Sequence, residues 1–234
     1  MDAAGEVVLF DFFGTLVTYE ADRTAIAYER THALMAEWGA ELTHGEFVAR
    51  WDAASTRVEA AVTATLVEHT MHDVVTGFSN DVGLDLDNSR VEVLIDTFLS
   101  EWVLPVALVP GADELVRSLA NDRPLGVVSN TNDLSMVPTL LAEFGIADCF
   151  DHVVLSVGHG YRKPHPSIYE ATLDLFGVAP TEAVFVGDSY EADYLGPTDA
   201  GMTAFLIDPD HRHDVPADVR LASILDLADR LPVG

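Results

Sequence analysis

The chain is short of lysine, of cysteine and of positive charge altogether. Lys163 is its sole lysine; with the arginines, basic residues number 12 against 39 Asp and Glu, a formal net charge of −27. Nucleic acid and anionic membrane surfaces repel such a polyanion, so neither is an expected partner. Cys149 is the one cysteine. No intramolecular disulfide can form, and a reducing compartment is expected. Also missing is any run of about 18 apolar residues; the stretch from Phe98 to Ala112 is broken by Glu101, Pro105 and Pro110. The opening residues Met1-Asp2-Ala3-Ala4-Gly5-Glu6 lack the basic and apolar regions of an export signal, so a cytoplasmic protein is expected.

What the chain does have is enough apolar residue to fold. Its 234 residues fit one core domain with an insertion, or two small domains. Apolar residues make up 49% and charged residues 22%, which excludes disorder as the general state. An acid excess almost without lysine resembles proteins of a salt-rich cytoplasm, where a Debye length of about 3 Å at 1 M salt lets carboxylates crowd. A mesophile with a GC-rich genome is also poor in lysine. The surplus of acid favours the salt-rich origin.

Periodicity divides the chain. Glu6 to Asp11 is a short apolar run ending in an acid, which predicts a buried parallel strand. Gly14 is the expected turn point after it. From about Glu20 to Val103 the pattern is helical, with helices expected at about 21–38, 43–68, 72–82 and 87–103, and Thr43 and Asp87 as N-caps. Beyond Pro110-Gly111 strand and helix alternate. Strands are expected at Pro124–Ser129, His152–Ser156, Ala183–Gly187 and Thr203–Ile207, with helices at about 112–120, 134–144, 166–176, 192–200 and 221–230. Short connections between such elements imply βαβ units and a parallel sheet covered on both faces. Folds of that kind bind ligands beyond the carboxyl ends of their strands.

Polar residues stand at those ends. Asp11 closes the first strand and Ser129-Asn130 the second; Lys163 lies in the loop after the third; Asp188 closes the fourth, with Asp193 shortly after. Together they resemble the motifs of the haloacid dehalogenase-like hydrolase superfamily. Asp11-Phe12-Phe13-Gly14-Thr15-Leu16 is similar to its first motif, and Val127-Val128-Ser129-Asn130 to its second. Lys163-Pro164-His165-Pro166-Ser167-Ile168-Tyr169 is similar to the third. Gly187-Asp188-Ser189-Tyr190-Glu191-Ala192-Asp193, followed by Gly196 and Asp199-Ala200-Gly201-Met202, is similar to the fourth. The resemblance implies an α/β fold: a three-layer, Rossmann-like parallel-sheet core of residues 1–16 and 104–234, with a helical cap, 17–103, inserted after the first strand.

It also implies roles. Asp11 is the nucleophile that forms a covalent aspartyl intermediate. Ser129, Asn130, Gly14, Thr15 and Phe13 face the substrate, and Lys163 and Asp193 complete the catalytic set. With Asp11, Asp188 and Asp193 ionised and only Lys163 positive, the cleft keeps surplus negative charge that would quench the nucleophile. Mg²⁺ answers that surplus, held by Asp11, Asp188 and the main-chain carbonyl of Phe13. The expected protein is a Mg²⁺-dependent phosphatase on a small phosphorylated metabolite, monomer or homodimer.

One position departs from that pattern. Phosphatases of the superfamily carry an acid two residues after the nucleophile, and general acid–base help is worth about 10²- to 10⁴-fold. Phe13 stands there instead. The superfamily's 2-haloacid dehalogenases hold an aromatic residue at that place, because a halide leaves without a proton. Those enzymes, however, work without metal and lack the first acid of the fourth motif, which this chain keeps as Asp188. Nor does the sequence assign a halide-binding arginine; Arg23 and Arg30 lie in the cap segment. Hydrolysis at carbon therefore stays open as an alternative, as does a non-catalytic binding protein on the same fold.

The remaining polar residues invite plainer readings. His69 with His72, and His211 with His213, lack a third ligand and read as solvated surface. His159, just before Lys163, is a candidate substrate contact. Tyr19, Trp38, Trp51 and Trp102 read as cap packing, with Tyr19 the one best placed to face substrate, and Cys149 as a small buried hydrophobe.

The charge pattern generates a test. If the acid surplus is an adaptation to salt, the melting temperature rises from low to molar KCl as self-repulsion is screened. A flat or falling melting temperature would assign the composition to genome bias.

Overall fold

The computed structural model describes residues 7–19 and 28–231. β1 (Val7–Phe10) is buried along its whole length. With both faces covered, its residues are apolar throughout rather than alternating. A turn at Gly14, whose φ of 88° lies in the left-handed region open to glycine, leads to β2 (Val17–Thr18).

Helices follow: α1 (Glu29–Glu37), α2 (His44–Thr63), α3 (Met71–Val82) and α4 (Asn88–Trp102). The chain then alternates through β3 (Ala107–Leu108), α5 (Ala112–Ala120), β4 (Leu125–Ser129), α6 (Met136–Glu143), β5 (His152–Leu155), α7 (Ser156–His159) and α8 (Pro166–Phe176). It closes with β6 (Ala183–Gly187), a π-turn over Tyr190–Leu195, α9 (Gly196–Asp199), β7 (Thr203–Ile207) and β8 (Arg220–Leu221).

Six strands form one sheet in the order β5-β4-β1-β6-β7-β8, every neighbouring pair parallel. This is the expected α/β architecture. β1 lies between β4 and β6, so its carboxyl end is flanked by both of theirs. On one face Leu9, Val128 and Phe185 pack against Ile168, Tyr169 and Leu173 of α8. The chain divides into two units, Met1–Thr18 with Ala107–Gly234, and Tyr19–Val106. β2 and β3 form an antiparallel ribbon, Val17 opposite Leu108, beside both breaks. Each strand of it has two residues, too few to show a period.

Several element ends differ from expectation. α1 begins at Glu29 among the described residues; residues 21–27 of the expected helix, Arg23 included, lie outside them. α2 stops at Thr63 rather than 68, ahead of Leu66 at φ 55°. The helix expected over 192–200 is a π-turn followed by α9, because Pro197 supplies no backbone donor there. The helix expected over 221–230 is absent. Arg220 and Leu221 instead pair with Leu206 and Ile207 as the sixth strand, and Ser223 caps a 3₁₀ turn over Ile224–Asp229.

The helical unit is built on sequence-legible caps and one buried acid. Thr43 pairs with Glu46, and Thr70 with Asp73, in capping boxes; the Asp87 side chain accepts from Arg90 N. Trp51 lies at the centre of an aromatic cluster, 4.4 Å from Phe98 and 5.0 Å from Phe78 between ring centroids. Glu101, on α4, is buried and accepts from the N–H groups of Arg30 and Thr31, each at 2.9 Å, and from the Thr31 hydroxyl at 2.6 Å. It thereby satisfies the free donors at the start of α1, whose own N-cap Tyr28 offers no side-chain acceptor. Burial works to raise its carboxyl, but the Thr31 and Arg30 donors hold it below the ordinary glutamate value. Glu101→Ala strands those donors and is expected to destabilise the protein by about 2–3 kcal/mol, read as a lower midpoint in urea. An unchanged midpoint would show that water replaces the carboxylate.

Candidate active site

The sheet order brings the expected residues together. Phe10 pairs with Val127 on one side and Val186 on the other, so Asp11, just beyond β1, Ser129, the last residue of β4, and Asp188, just beyond β6, come together at the carboxyl ends of these strands. Asp11 N donates to Val186 O at 2.9 Å, which fixes the acid's exit from the sheet.

Lys163 reaches the same place from the loop between α7 and α8. Its ammonium donates to Asp11 Oδ1 at 2.9 Å and to Asp193 Oδ1 at 2.7 Å, and it lies 5.1 Å from the Phe185 ring centroid. The residue is 3% exposed. Burial alone would depress the ammonium; Asp11 and Asp193 together lift it above the ordinary lysine value, so it stays charged. Asn130 holds the loop. Its Oδ1 accepts from Lys163 N at 2.8 Å and its Nδ2 donates to Lys163 O at 3.0 Å. The side chain named from sequence as a substrate contact is thus engaged with the lysine backbone.

Two glycines make room for the acids. A Cβ on Gly14 would lie 2.2 Å from Asp188 Oδ2, and one on Gly187 would lie 2.4 Å from the Asp193 side chain. Asp193 sits in the π-turn, nearly fully buried, and its Oδ2 accepts from Ser189 N at 2.9 Å. Burial raises its carboxyl above the usual range while Lys163 opposes that rise. One ligand oxygen each from Asp11, Asp188 and Asp193 lies within 4.8 Å of the others. Buried polar atoms at this end of the sheet lack a hydrogen-bond partner: Asp11 Oδ2, Thr15 Oγ1 and Ser129 Oγ. Unsatisfied buried groups of this kind are rare in folded proteins and call for a partner such as water, an ion or a ligand.

Other expectations fare differently. The Phe13 ring lies edge-on to Phe12, centroids 4.9 Å apart. His159 is turned to Ser167 Oγ at 2.8 Å. His69, read as solvated surface, is buried instead, its Nδ1 3.2 Å from Glu68 and 3.6 Å from Glu59. His72 is exposed and pairs with Glu92. His213 is stacked on Tyr190, and His211 meets the Arg220 guanidinium. Arg30 donates to Ser100 and, through its N–H, to Glu101. Burial raises the Cys149 thiol, in keeping with an inert small hydrophobe.

Sequence reasoning gave no role to Phe185, under the lysine, and named Tyr169 only as the last residue of the third motif. The Tyr169 hydroxyl donates to Ala192 O, and a Cβ on Gly196 would lie 2.3 Å from it. That buried phenol braces the turn carrying Asp193. The spacing of Tyr169 from Lys163 on the same stretch was the available signal.

Asp188 carries the clearest electrostatic consequence. Its outer edge is exposed, yet burial of the carboxyl and the neighbouring Asp11 raise it from 3.8 to about 6. The folded value lies above the unfolded one, so the folded chain binds the extra proton. Stability therefore falls as pH rises from 3.8 to about 6 and stays reduced above. Fully buried, such a rise would be worth about 3 kcal/mol; screening at this exposed residue leaves about 1 kcal/mol. Asp188→Asn is expected to raise the melting temperature of the metal-free protein by about 2–4 °C near neutral pH, and to leave it unchanged in acid. A lower melting temperature at neutral pH would refute this account of the cluster.

The comparisons with known proteins agree with this geometry. The sequence model of the haloacid dehalogenase-like hydrolase family matches residues 6–201. The human haloacid dehalogenase-like hydrolase domain-containing protein 3 is 33% identical over 131 residues, 53% of this chain and 51% of that protein. The chain thus spans about half the length of that relative. Ribulose-1,5-bisphosphate 5-phosphatase of Halopiger xanaduensis is 27% identical over 230 residues, 95% of this chain and 92% of the relative. Among solved structures, a 2-haloacid dehalogenase from Pseudomonas syringae pv. Tomato DC3000 superposes with a TM-score of 0.72 at 23% identity, covering 97% of this chain and 98% of that one. At that identity the likeness speaks to the fold. By its matched sequence and its sheet, the chain belongs to the haloacid dehalogenase-like hydrolase family.

Proposed function

We propose that the protein is a Mg²⁺-dependent phosphatase of small phosphorylated metabolites, acting through an aspartyl-phosphate on Asp11, with Tyr19–Val106 as its cap domain. The observation that carries the reading is the state of Asp11. One carboxylate oxygen is held by Lys163 while the other is buried without a partner. Oδ2 attacks phosphorus, the bond to the leaving oxygen breaks, and water then opens the acyl phosphate to regenerate the carboxylate. The Ser129 and Thr15 hydroxyls, also buried and unpartnered, donate to the phosphoryl oxygens. The Lys163 ammonium balances the charge of the Asp11 carboxylate beside it, and Asp193 holds Lys163. Asn130 acts through the lysine's backbone. The donor set suits a hard cation, because carboxylate oxygens of Asp11 and Asp188 lie close together. Mg²⁺ on Asp11, Asp188 and the Phe13 carbonyl would supply positive charge to the phosphoryl group. The long match to a bisphosphate 5-phosphatase from a halophilic archaeon supports both the phosphate chemistry and a salt-rich cytoplasmic setting.

Phe13 favours a second reading, hydrolysis at a carbon–halogen bond, because its ring has no proton to give a leaving group. Metal separates the two. For a phosphatase, EDTA removes activity on phosphate esters and Mg²⁺ restores it; for a dehalogenase, EDTA is harmless and 2-haloacids release halide. Asp11→Asn is expected to leave less than about 1% of either activity with the fold intact, since an amide does not form the covalent intermediate. Phosphate-ester turnover that survives full chelation would overturn the metal-dependent mechanism.

A further inference from the structure

The loop that delivers Lys163 is closed by side chains that the proposed chemistry does not use. His159 Nε2 and His165 Nδ1 each lie 2.8 Å from Ser167 Oγ. The Ser167 backbone N–H also donates to His165 Nδ1, at 3.3 Å. One choice of ring tautomers satisfies all these contacts. A ring nitrogen that accepts an N–H presents its lone pair to Ser167, so the one hydroxyl proton goes to His165 Nδ1. The hydroxyl oxygen then accepts from His159 Nε2–H. Tyr161 stacks on the His165 ring at 4.1 Å and 21°, holding it in that orientation. His159 ends α7 and Ser167 opens α8, and Lys163 lies midway between them in sequence.

That placement has a mechanical consequence. Lysine reaches its partners along a flexible four-carbon stem, and here the ammonium meets both acceptors, at 2.9 and 2.7 Å. Asn130 fixes the peptide groups at Lys163 itself, but that grip does not set the path of the chain into and out of it. The His159–Ser167 hydrogen bond sets that path by tying the two ends of the loop together. Asn130 grips from β4, and the same β4 exit is tied to the start of α7 by Ser156, whose Oγ accepts from Thr131 N at 2.8 Å and donates to Thr131 O at 3.1 Å. The ties at Asn130, His159 and Ser167 bear on the loop that carries the ammonium.

We propose that His159 and Ser167 are positioning residues: their hydrogen bond closes the Lys163 loop and aims the ammonium at Asp11 and Asp193 together. The catalytic readout rests on the phosphatase reading above; the spectroscopic one does not. Lys163 is the sole lysine, so ¹⁵N-lysine labelling gives a single side-chain ammonium signal that reports its environment directly. The variants are His159→Phe and Ser167→Ala, which remove the bond, and His159→Gln and Ser167→Thr, which keep a donor or hydroxyl in place. His159→Phe and Ser167→Ala are expected to shift the ammonium signal and speed its exchange with solvent. His159→Gln and Ser167→Thr should restore the wild-type signal. On a phosphate ester, the first pair should lower kcat by about 10- to 100-fold with little change in KM, and the double variant should be no worse than either single one. An ammonium signal unmoved in His159→Phe and Ser167→Ala overturns the proposal, as does equal behaviour of His159→Phe and His159→Gln. If Ser167→Ala does not fold, the two His159 variants decide alone. A wild type that turns over no phosphate ester while its ammonium still follows the clasp would overturn the phosphatase reading and leave the clasp standing.

Discussion

The ammonium of Lys163 is a buried cation between two buried carboxylates, joined to one of them across 152 residues of sequence. Removing it would leave Asp11 and Asp193 facing each other in a desolvated space. Like charges brought that close without a cation between them repel, and the repulsion opposes the arrangement of both side chains. Breaking a buried pair of this kind typically costs about 3–5 kcal/mol. The surroundings can be understood as the conditions for keeping that cation in place. Asn130 grips its backbone, Phe185 offers a ring face beneath it, and Gly187 clears the volume that Asp193 occupies. Tyr169 braces the turn from which Asp193 projects. They come from the end of β4, from β6 and from α8, so the fold and the charge arrangement depend on one another.

A chain that otherwise uses arginine alone keeps lysine here. A guanidinium is a planar fork suited to one carboxylate met edge-on. An ammonium is compact and presents its donors in several directions, so it can bridge Asp11 and Asp193 from a buried position. Among the described residues the cluster sets three carboxyl groups against one ammonium, because Asp188 joins Asp11 and Asp193 around Lys163. The raised Asp188 carboxyl is the local cost of that surplus. A cluster arranged for packing alone would have no reason to keep it. Surplus charge at a strand end makes physical sense where a cation and an anionic group are to be received together.

Much of this was legible because parallel strands print themselves plainly. Val7–Phe10, Leu125–Ser129 and Ala183–Gly187 are apolar runs that stop at a polar residue, and strand order alone then gathers Asp11, Ser129 and Asp188. The caps at Thr43 and Asp87 were legible for a similar reason, a local hydrogen bond with a fixed residue type. What stayed hidden depends on distant partners. The ribbon of β2 and β3 is too short to carry a period, and its strands lie far apart in sequence. β8 exists only because β7 offers it an edge. His69 reads as surface until Glu59 and Glu68 are seen beside it. Asn130 carries the signature of a ligand contact, yet its amide is turned to Lys163, a choice that sequence does not express.

Phe13 ties the two chemical readings to a single constraint. It sits in the turn that follows Asp11 and packs edge-on against Phe12, and a phenyl ring neither donates nor accepts a proton. Under the chemistry proposed for Asp11, the leaving group therefore departs as an anion or takes its proton from water. An aliphatic alkoxide is a poor anion, whereas a carboxylate, a phenolate or a halide is a good one. The structure thus limits the leaving group more firmly than it limits the electrophilic atom. Activated phosphates and carbon–halogen bonds satisfy the same requirement, which is why this residue alone does not separate them. Under the proposed function, the acids opposite favour phosphorus as the electrophile. Asp188, beside Asp11 despite its electrostatic penalty, would have no use in displacing a halide from carbon and would help assemble a cation with a phosphoryl group.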